Sequence, residues 1–377
     1  MPSSFRVGRI AGIDVSVHWS WLFIFFLLSW SFATGILDEV YPQWSDAQRW
    51  AAGVIVSVVF FASVLIHELS HSIVARRLGI PVKGITLFVF GGVSNLGREA
   101  QTPREEFVVA VVGPLASLLL GFVFFVGWLV LMGPASGVAE ICKYLALVNG
   151  IIAVFNMLPG FPLDGGRVFR SFVWWQNRDL LRATRTASRV GEGLSFLLIG
   201  AGLVNIFFFG LLLNGIWLAL IGMFLRGAST ASYEQLLMQR TLEGLTAASV
   251  ARTDFEGVPP DITLQELVDS HILISHNRCF PVVAGRELAG MITLTDVKKL
   301  PRESWHETTV WRAMTPFEKL HTVSAREDLA RVLQIMGEAD INQVPVVEGR
   351  LIVGMVSRSD IIRQIQVRRD LGAGAAA

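Results

Sequence analysis

Residues 67–71 read His-Glu-Leu-Ser-His, and residues 163–167 read Leu-Asp-Gly-Gly-Arg. On a helix, His67 and His71 stand about one turn apart on one face, so both imidazoles can reach a single cation. Glu68 then lies beside the water that such a cation polarises, where a carboxylate serves as general base. A hydrolytic zinc site takes three protein ligands and keeps its fourth position open. Asp164 is the ready third ligand, because Pro159, Pro162 and the glycines near them break the chain just before it. The alternative is that Asp164 and Arg167 only begin a solvated loop.

The surroundings of this motif are apolar. Of 377 residues, 52% are hydrophobic and only 17% charged, with a mean hydropathy of +0.53. A soluble chain carries roughly a quarter of its residues as charges. Ionisable residues inside a membrane span cost about 2.5–3.5 kcal/mol each on insertion scales, and by default they mark function. The net charge of +1 argues against a nucleic-acid partner. Cys142 and Cys279 lie far apart and suggest neither a disulfide framework nor a thiolate zinc site.

A helix needs about 20 mostly apolar residues to cross a bilayer. Six runs qualify, at 18–37, 50–78, 107–132, 138–158, 193–209 and 211–225, the last two being short. The first exceeds the apolar core of a signal peptide and no clean cleavage site follows it, so it is read as retained. His18, which opens it beside Trp19 and Trp21, suits an interfacial aromatic belt better than a ligand role. Lysine and arginine gather in alternate connections, at Arg6 and Arg9, at Arg76, Arg77 and Lys83, and from Arg167 to Arg189. That alternation predicts a multi-pass protein of the cell membrane with both termini cytoplasmic.

Between the second and third runs, residues 84–96 are rich in β-formers but too short to cross. They predict a strand pair turning at Gly91-Gly92 and dipping toward the site with one edge free, with an ordinary interfacial loop as the alternative. Apolarity stops near residue 225, and Arg226-Gly227-Ala228-Ser229-Thr230 reads as a linker. Beyond it two weak repeats follow. Cys279-Phe280-Pro281-Val282-Val283 with Gly290-Met291-Ile292-Thr293 answers Gln343-Val344-Pro345-Val346-Val347 with Gly354-Met355-Val356-Ser357.

The motif His67-Glu68-x-x-His71 on a span, followed by Asn156-Met157-Leu158-Pro159-Gly160-Phe161-Pro162-Leu163-Asp164-Gly165-Gly166-Arg167, resembles the site-2 protease family of intramembrane zinc metalloproteases. The likeness extends over essentially the whole chain to the bacterial and archaeal branch with a C-terminal cystathionine-β-synthase (CBS) domain pair. It implies a mainly α polytopic membrane protein with six transmembrane helices and a membrane-associated β-hairpin, followed by a soluble α+β tandem CBS (Bateman) domain. The expected divisions are a transmembrane metalloprotease domain over 1–228, a linker over 229–244, CBS repeats over 245–300 and 301–370, and a disordered tail over 371–377.

The resemblance also implies that His67, His71 and Asp164 bind one catalytic Zn2+ and that Glu68 is the general base. Asn156 would line the active cavity, holding the substrate strand or the developing oxyanion; its alternative is to bond a carbonyl freed by the proline breaks. The family's Gly-Pro pair in the third span appears as Gly113-Pro114. In CBS pairs a Thr/Ser-x-x-Asp after the last strand can hold the ribose of an adenine nucleotide, ATP or AMP. That pattern maps to Thr293 with Asp296 and Ser357 with Asp360, with adenine near Val282 and Val346. The same hydroxyls can instead cap the next helix. The implied activity is regulated intramembrane proteolysis of transmembrane substrates in the lipid bilayer, such as anti-sigma factors or other single-span regulators. The CBS pair would regulate access, form a homodimer or dock substrate. A different class remains open from the residues alone: a CBS-gated transporter or channel using the same polar residues as an ion path.

Overall fold

A computed structural model describes residues 4–132, 136–275 and 277–370. The chain divides into two compact units, Met1–Glu234 and Gln235–Ala377. The tail expected over 371–377 lies outside the described residues.

Six helices that begin in the first unit are, among the described residues, long and apolar enough to cross a membrane: Trp19–Glu39, Asp46–Arg77, Pro103–Leu131, Gly137–Asn156, Leu180–Phe209 and Leu212–Leu242, the last running past that unit's end at Glu234. The first contains α1 (Trp19–Ser31) and α2 (Leu37–Val40), joined by a π-turn at Phe32–Ile36. Then come α3 (Asp46–Arg77), α4 (Pro103–Leu131), α5 (Ser136–Asn156), the shorter amphipathic α6 (Asp164–Asn177), α7 (Leu180–Phe209) and α8 (Leu212–Leu242). Large apolar side chains such as Phe207, Phe208 and Leu213 stay exposed on the outer faces, as a hydrocarbon solvent requires. His18 closes a strand and caps α1, its Nδ1 accepting from the Ser20 N–H at 3.2 Å.

α3 starts at a capping box, with Ser45 and Gln48 each bonding the other's backbone N–H. It ends with Arg76 and Arg77 in the last turn, where cations suit the carboxyl end of a helix. Its faces are spent differently. Val64, Leu65, Leu69 and Ile73 pack on a sheet core of Ile13, Val17, Ile85 and Leu87, whereas His67 and His71 face α4.

That sheet has four strands in the order β1 (Ser4–Ile10), β2 (Ile13–His18), β3 (Val82–Phe88), β4 (Gly91–Leu96). β2 and β3 run parallel, with Val15 opposite Ile85 and Val17 opposite Leu87. The other pairs are antiparallel, leaving β4 at one edge. The expected hairpin is thus half of a larger sheet. Its turn is Val89-Phe90, since Phe88 pairs with Gly91 and both glycines belong to β4. Gly92 serves close approach instead: a Cβ there would fall on the Glu68 side chain.

The segment read as a linker at Arg226–Thr230 lies within α8. Ser229 is buried and donates to the Phe161 carbonyl, and a Cβ on Gly191 of α7 would reach Ser229 Oγ at 2.5 Å. The small residues there permit helix contact rather than flexibility.

The second unit is α+β. Strands β5 (Cys279–Ala284), β6 (Glu287–Thr293), β8 (Gln343–Glu348) and β9 (Leu351–Ser357) form the order β5-β6-β9-β8, and the short β7 (Thr315–Pro316) pairs with β6. The halves repeat residue by residue: Val282 faces Gly290 as Val346 faces Gly354, each beside a register shift. Each half has its own core, one around Phe280, Ile292 and Val297, the other around Val344, Val356 and Ile361.

Candidate metal centre

Two elements, α3 and α6, bring the candidate ligands together. His67 Nε2 and His71 Nε2 lie 3.0 and 3.2 Å from Asp164 Oδ2, and 3.2 Å from each other. They form the cluster of metal-ligating side chains among the described residues, and all three are buried. Tetrahedral ligands at about 2.0–2.1 Å from a zinc ion stand roughly 3.3 Å apart. The donors therefore converge to within a few tenths of an ångström of a closed tetrahedral face.

The far side of each ring is tied down by α4. His71 Nδ1 lies 2.6 Å from the Val109 carbonyl, which only accepts, so Nδ1 carries a proton and Nε2 is the nitrogen left to meet a cation. His67 Nδ1 lies 2.9 Å from Ser117 Oγ. Gly113, between those two supports in the sequence, leaves the space the imidazoles occupy: a Cβ there would collide with His71 Nε2 and stand 2.7 Å from His67 Nε2. Pro114 interrupts the helix ladder in the same turn. The residues present fit a zinc ion in donor chemistry, spacing and the room kept for the rings.

Asp164 opens α6 after the irregular stretch 157–163. Glycine is needed behind it. A Cβ on Gly165 would collide with the Met157 carbonyl, and one on Gly166 with Gly160. The proline-glycine stretch is a folded support for the carboxylate, packed against α7 through Gly160 and Gly191.

Glu68 points at the sheet side. Its Oε2 accepts from Ser94 Oγ of β4 at 2.9 Å, and Ser72 Oγ donates to Ser94 at 3.1 Å. Asn156 is not drawn into the cluster: its Nδ2 donates to the Ile152 carbonyl one turn back, at 3.1 Å. Ser117, the Val109 carbonyl and Ser94 are supports that sequence reading missed. Ser117 stood in view beside Gly113-Pro114, but a backbone carbonyl leaves no mark in a sequence.

In the second unit, Thr293 and Ser357 cap the helices that follow them. Thr293 Oγ1 bonds the Asp296 carboxylate at 2.6 Å and Ser357 Oγ that of Asp360 at 2.5 Å. Each carboxylate also holds a cation, Lys299 on Asp296 at 2.9 Å and Arg252 on Asp360 at 2.7 Å. Burial works to raise the Asp296 carboxyl, but the Thr293 bonds and Lys299 hold it below its ordinary value. Burial, and then the Asp296 charge, push the neighbouring Cys279 thiol up to about 12. Val282 and Val346 are fully buried.

The family model of Peptidase family M50 matches residues 55–134 and 132–200, and that of the CBS domain matches 247–303 and 310–367. The candidate zinc metalloprotease Rip3 of Mycobacterium tuberculosis is 35% identical over 377 residues, covering 98% of this chain and 94% of its own. A zinc metalloprotease of Methanocaldococcus jannaschii is 27% identical over 369 residues, covering 97% of each. Among solved structures, the site-2 protease from the same archaeon covers 60% of this chain and 94% of its own, at 23% identity and a TM-score of 0.43.

Proposed function

Because this chain belongs to peptidase family M50, the site-2 zinc metalloproteases, and carries a CBS domain pair, we propose that it is an intramembrane endopeptidase cutting transmembrane segments. The observation that carries the proposal is the convergence of two imidazoles and a remote carboxylate beside Glu68, within a unit of six membrane-length helices.

His67, His71 and Asp164 hold the zinc ion in this reading. When bound, the ion supplies a Lewis acid that lowers the pKa of water and polarises a peptide carbonyl. Glu68 takes the water's proton on its carboxylate and later returns it to the leaving amine. Ser94 fixes that carboxylate from the sheet side, and Ser72, one turn along α3, donates to Ser94. A substrate helix must first unwind, since its carbonyls are engaged in intrahelical bonds. The free edge of β4, directly over Glu68, offers replacement bonds by strand addition. Asn156 leaves the Ile152 carbonyl to hold the strand or the developing oxyanion. Prolines placed singly along Gly91–Leu96, at unchanged zinc content, are expected to slow cleavage; normal turnover at every position would remove strand addition.

The basic alternate connections support a cell-membrane location with both termini cytoplasmic. Substrates are single-span regulators, anti-sigma factors among them. The CBS pair binds an adenine nucleotide, ATP or AMP, through Thr293 with Asp296 and Ser357 with Asp360, and supports a homodimer. Binding must displace Lys299 or Arg252 from the carboxylate each now holds.

The test is reconstitution in proteoliposomes with a single-span substrate. Cleavage should fall within the membrane segment, stop with 1,10-phenanthroline and return with zinc. Chelator-insensitive cleavage would overturn the proposal. Titrated ATP should change the rate of the full chain, and a flat response with no bound nucleotide would retire regulation by the pair.

A further inference from the structure

A buried ion pair one layer outside the ligands has no part in the chemistry above. Glu106, in the first turn of α4, is 0% exposed, and its Oε1 accepts from both prongs of the Arg170 guanidinium fork, Nε at 2.6 Å and Nη2. Arg170 lies on α6, less than two turns beyond Asp164. Its Nη1 donates to Thr184 Oγ1 of α7 at 3.3 Å, and its guanidinium covers the Phe161 ring at 4.8 Å. One guanidinium therefore ties α4, α6, α7 and the stretch before Asp164 together.

Stability alone is a poor reason for such a pair. The desolvation of two buried charges commonly cancels their attraction, and an apolar pair of similar volume serves as well. Here Glu106 Oε2 is also buried and makes no hydrogen bond among the described residues, which adds to that cost. What the fork supplies is directional alignment. The helices it aligns are the two the site needs in register. α4 orients both imidazoles through the Val109 carbonyl and Ser117, and α6 carries Asp164 in its first turn. Val109 follows Glu106 by three residues, one turn along α4, so the clamp and the His71 support share one stretch of helix.

We propose that the Glu106–Arg170 pair is a positioning clamp that holds the Asp164 carboxylate in bonding register with His67 and His71, and so sets the affinity of the site for zinc. The inference rests on the zinc reading of the site.

The experiment uses the full chain in detergent, with zinc affinity read by chelator competition, cobalt-substituted absorption spectra and thermal midpoints. Glu106→Gln and Arg170→Met each remove the close partner of a buried charge, leaving Arg170 only Glu99 at 3.9 Å and Glu106 only Arg167 at 4.0 Å, so both singles should lose stability and about 10–100-fold in zinc affinity. The double variant removes both charges. It should regain most of the thermal midpoint yet keep the weakened affinity and a shifted cobalt spectrum. A purely structural pair predicts the reverse: affinity and spectrum return with stability, and that result overturns the clamp. Should the double variant fail to fold, Arg170→Lys keeps the charge and loses the fork. Unchanged affinity and spectrum in that variant would overturn the clamp, and a loss of affinity would support it. Wild-type protein that takes up no zinc would instead refute the metal site itself.

Discussion

Glu68→Gln is expected to stop cleavage while leaving zinc bound. Glutamine keeps the length and shape of the side chain and can still accept from Ser94 Oγ, which lies 2.9 Å from the present carboxylate. It cannot take a proton from water, and loss of a positioned general base costs about 10²–10⁴ in rate. The proposed ligand atoms belong to His67, His71 and Asp164, so metal content should not move. Turnover measured in proteoliposomes, beside zinc content on the same preparation, reads both quantities. A variant that cleaves at the wild-type rate would remove Glu68 from the chemistry. A transporter or a non-catalytic zinc scaffold has no substrate cleavage to lose, so this substitution also separates the enzyme from both.

Gly113→Ala should also produce a large loss, by another route. The added methyl has no free volume: it collides with His71 Nε2 and stands 2.7 Å from His67 Nε2. The rings cannot retreat without breaking the Ser117 and Val109 contacts at 2.9 and 2.6 Å. Forcing a methyl into packed interior costs about 1–3 kcal/mol when the neighbours must shift, and here the neighbours that shift are the ligand atoms. Zinc affinity should fall at least about tenfold with no change in helix content, and cleavage should fall with it. Gly121→Ala is the control on the same helix, because its Cβ comes no nearer than 3.3 Å to a neighbour, the Ala146 carbonyl, with Asn149 and Gly150 at 3.5 and 3.6 Å, all on α5 and away from both imidazoles. Equal zinc retention in the two variants would count against the cradle.

What the sequence made legible was local. A helical period puts His67, Glu68 and His71 in one turn whatever surrounds them, and hydropathy marks spans without reference to their neighbours. The internal repeat announced the second unit because both halves reuse the same strand-turn-strand pattern. Non-local features were hidden. Nothing in the order of residues says that Ser117 lies against His67, or that Glu106 reaches Arg170. Glycine misled at Gly91-Gly92, because it serves tight turns and close contacts alike, and here contact with Glu68 prevailed. Small residues misled again at Gly227-Ala228-Ser229, where helix packing and linker flexibility select the same types. The β1–β2 hairpin went unread, although Ile13, Val15 and Val17 alternate with polar residues. Ala11 and Gly12, with φ of 51° and 77°, supply its turn.

The central claim is a zinc ion held by two imidazoles from α3 and one carboxylate from α6. Its most direct test is the metal-to-protein ratio of the purified, folded full chain, beside that of Asp164→Ala. The account predicts about one zinc per chain in the wild type and little in the variant. Folded wild-type protein without stoichiometric zinc, or a variant that binds it undiminished, would contradict it.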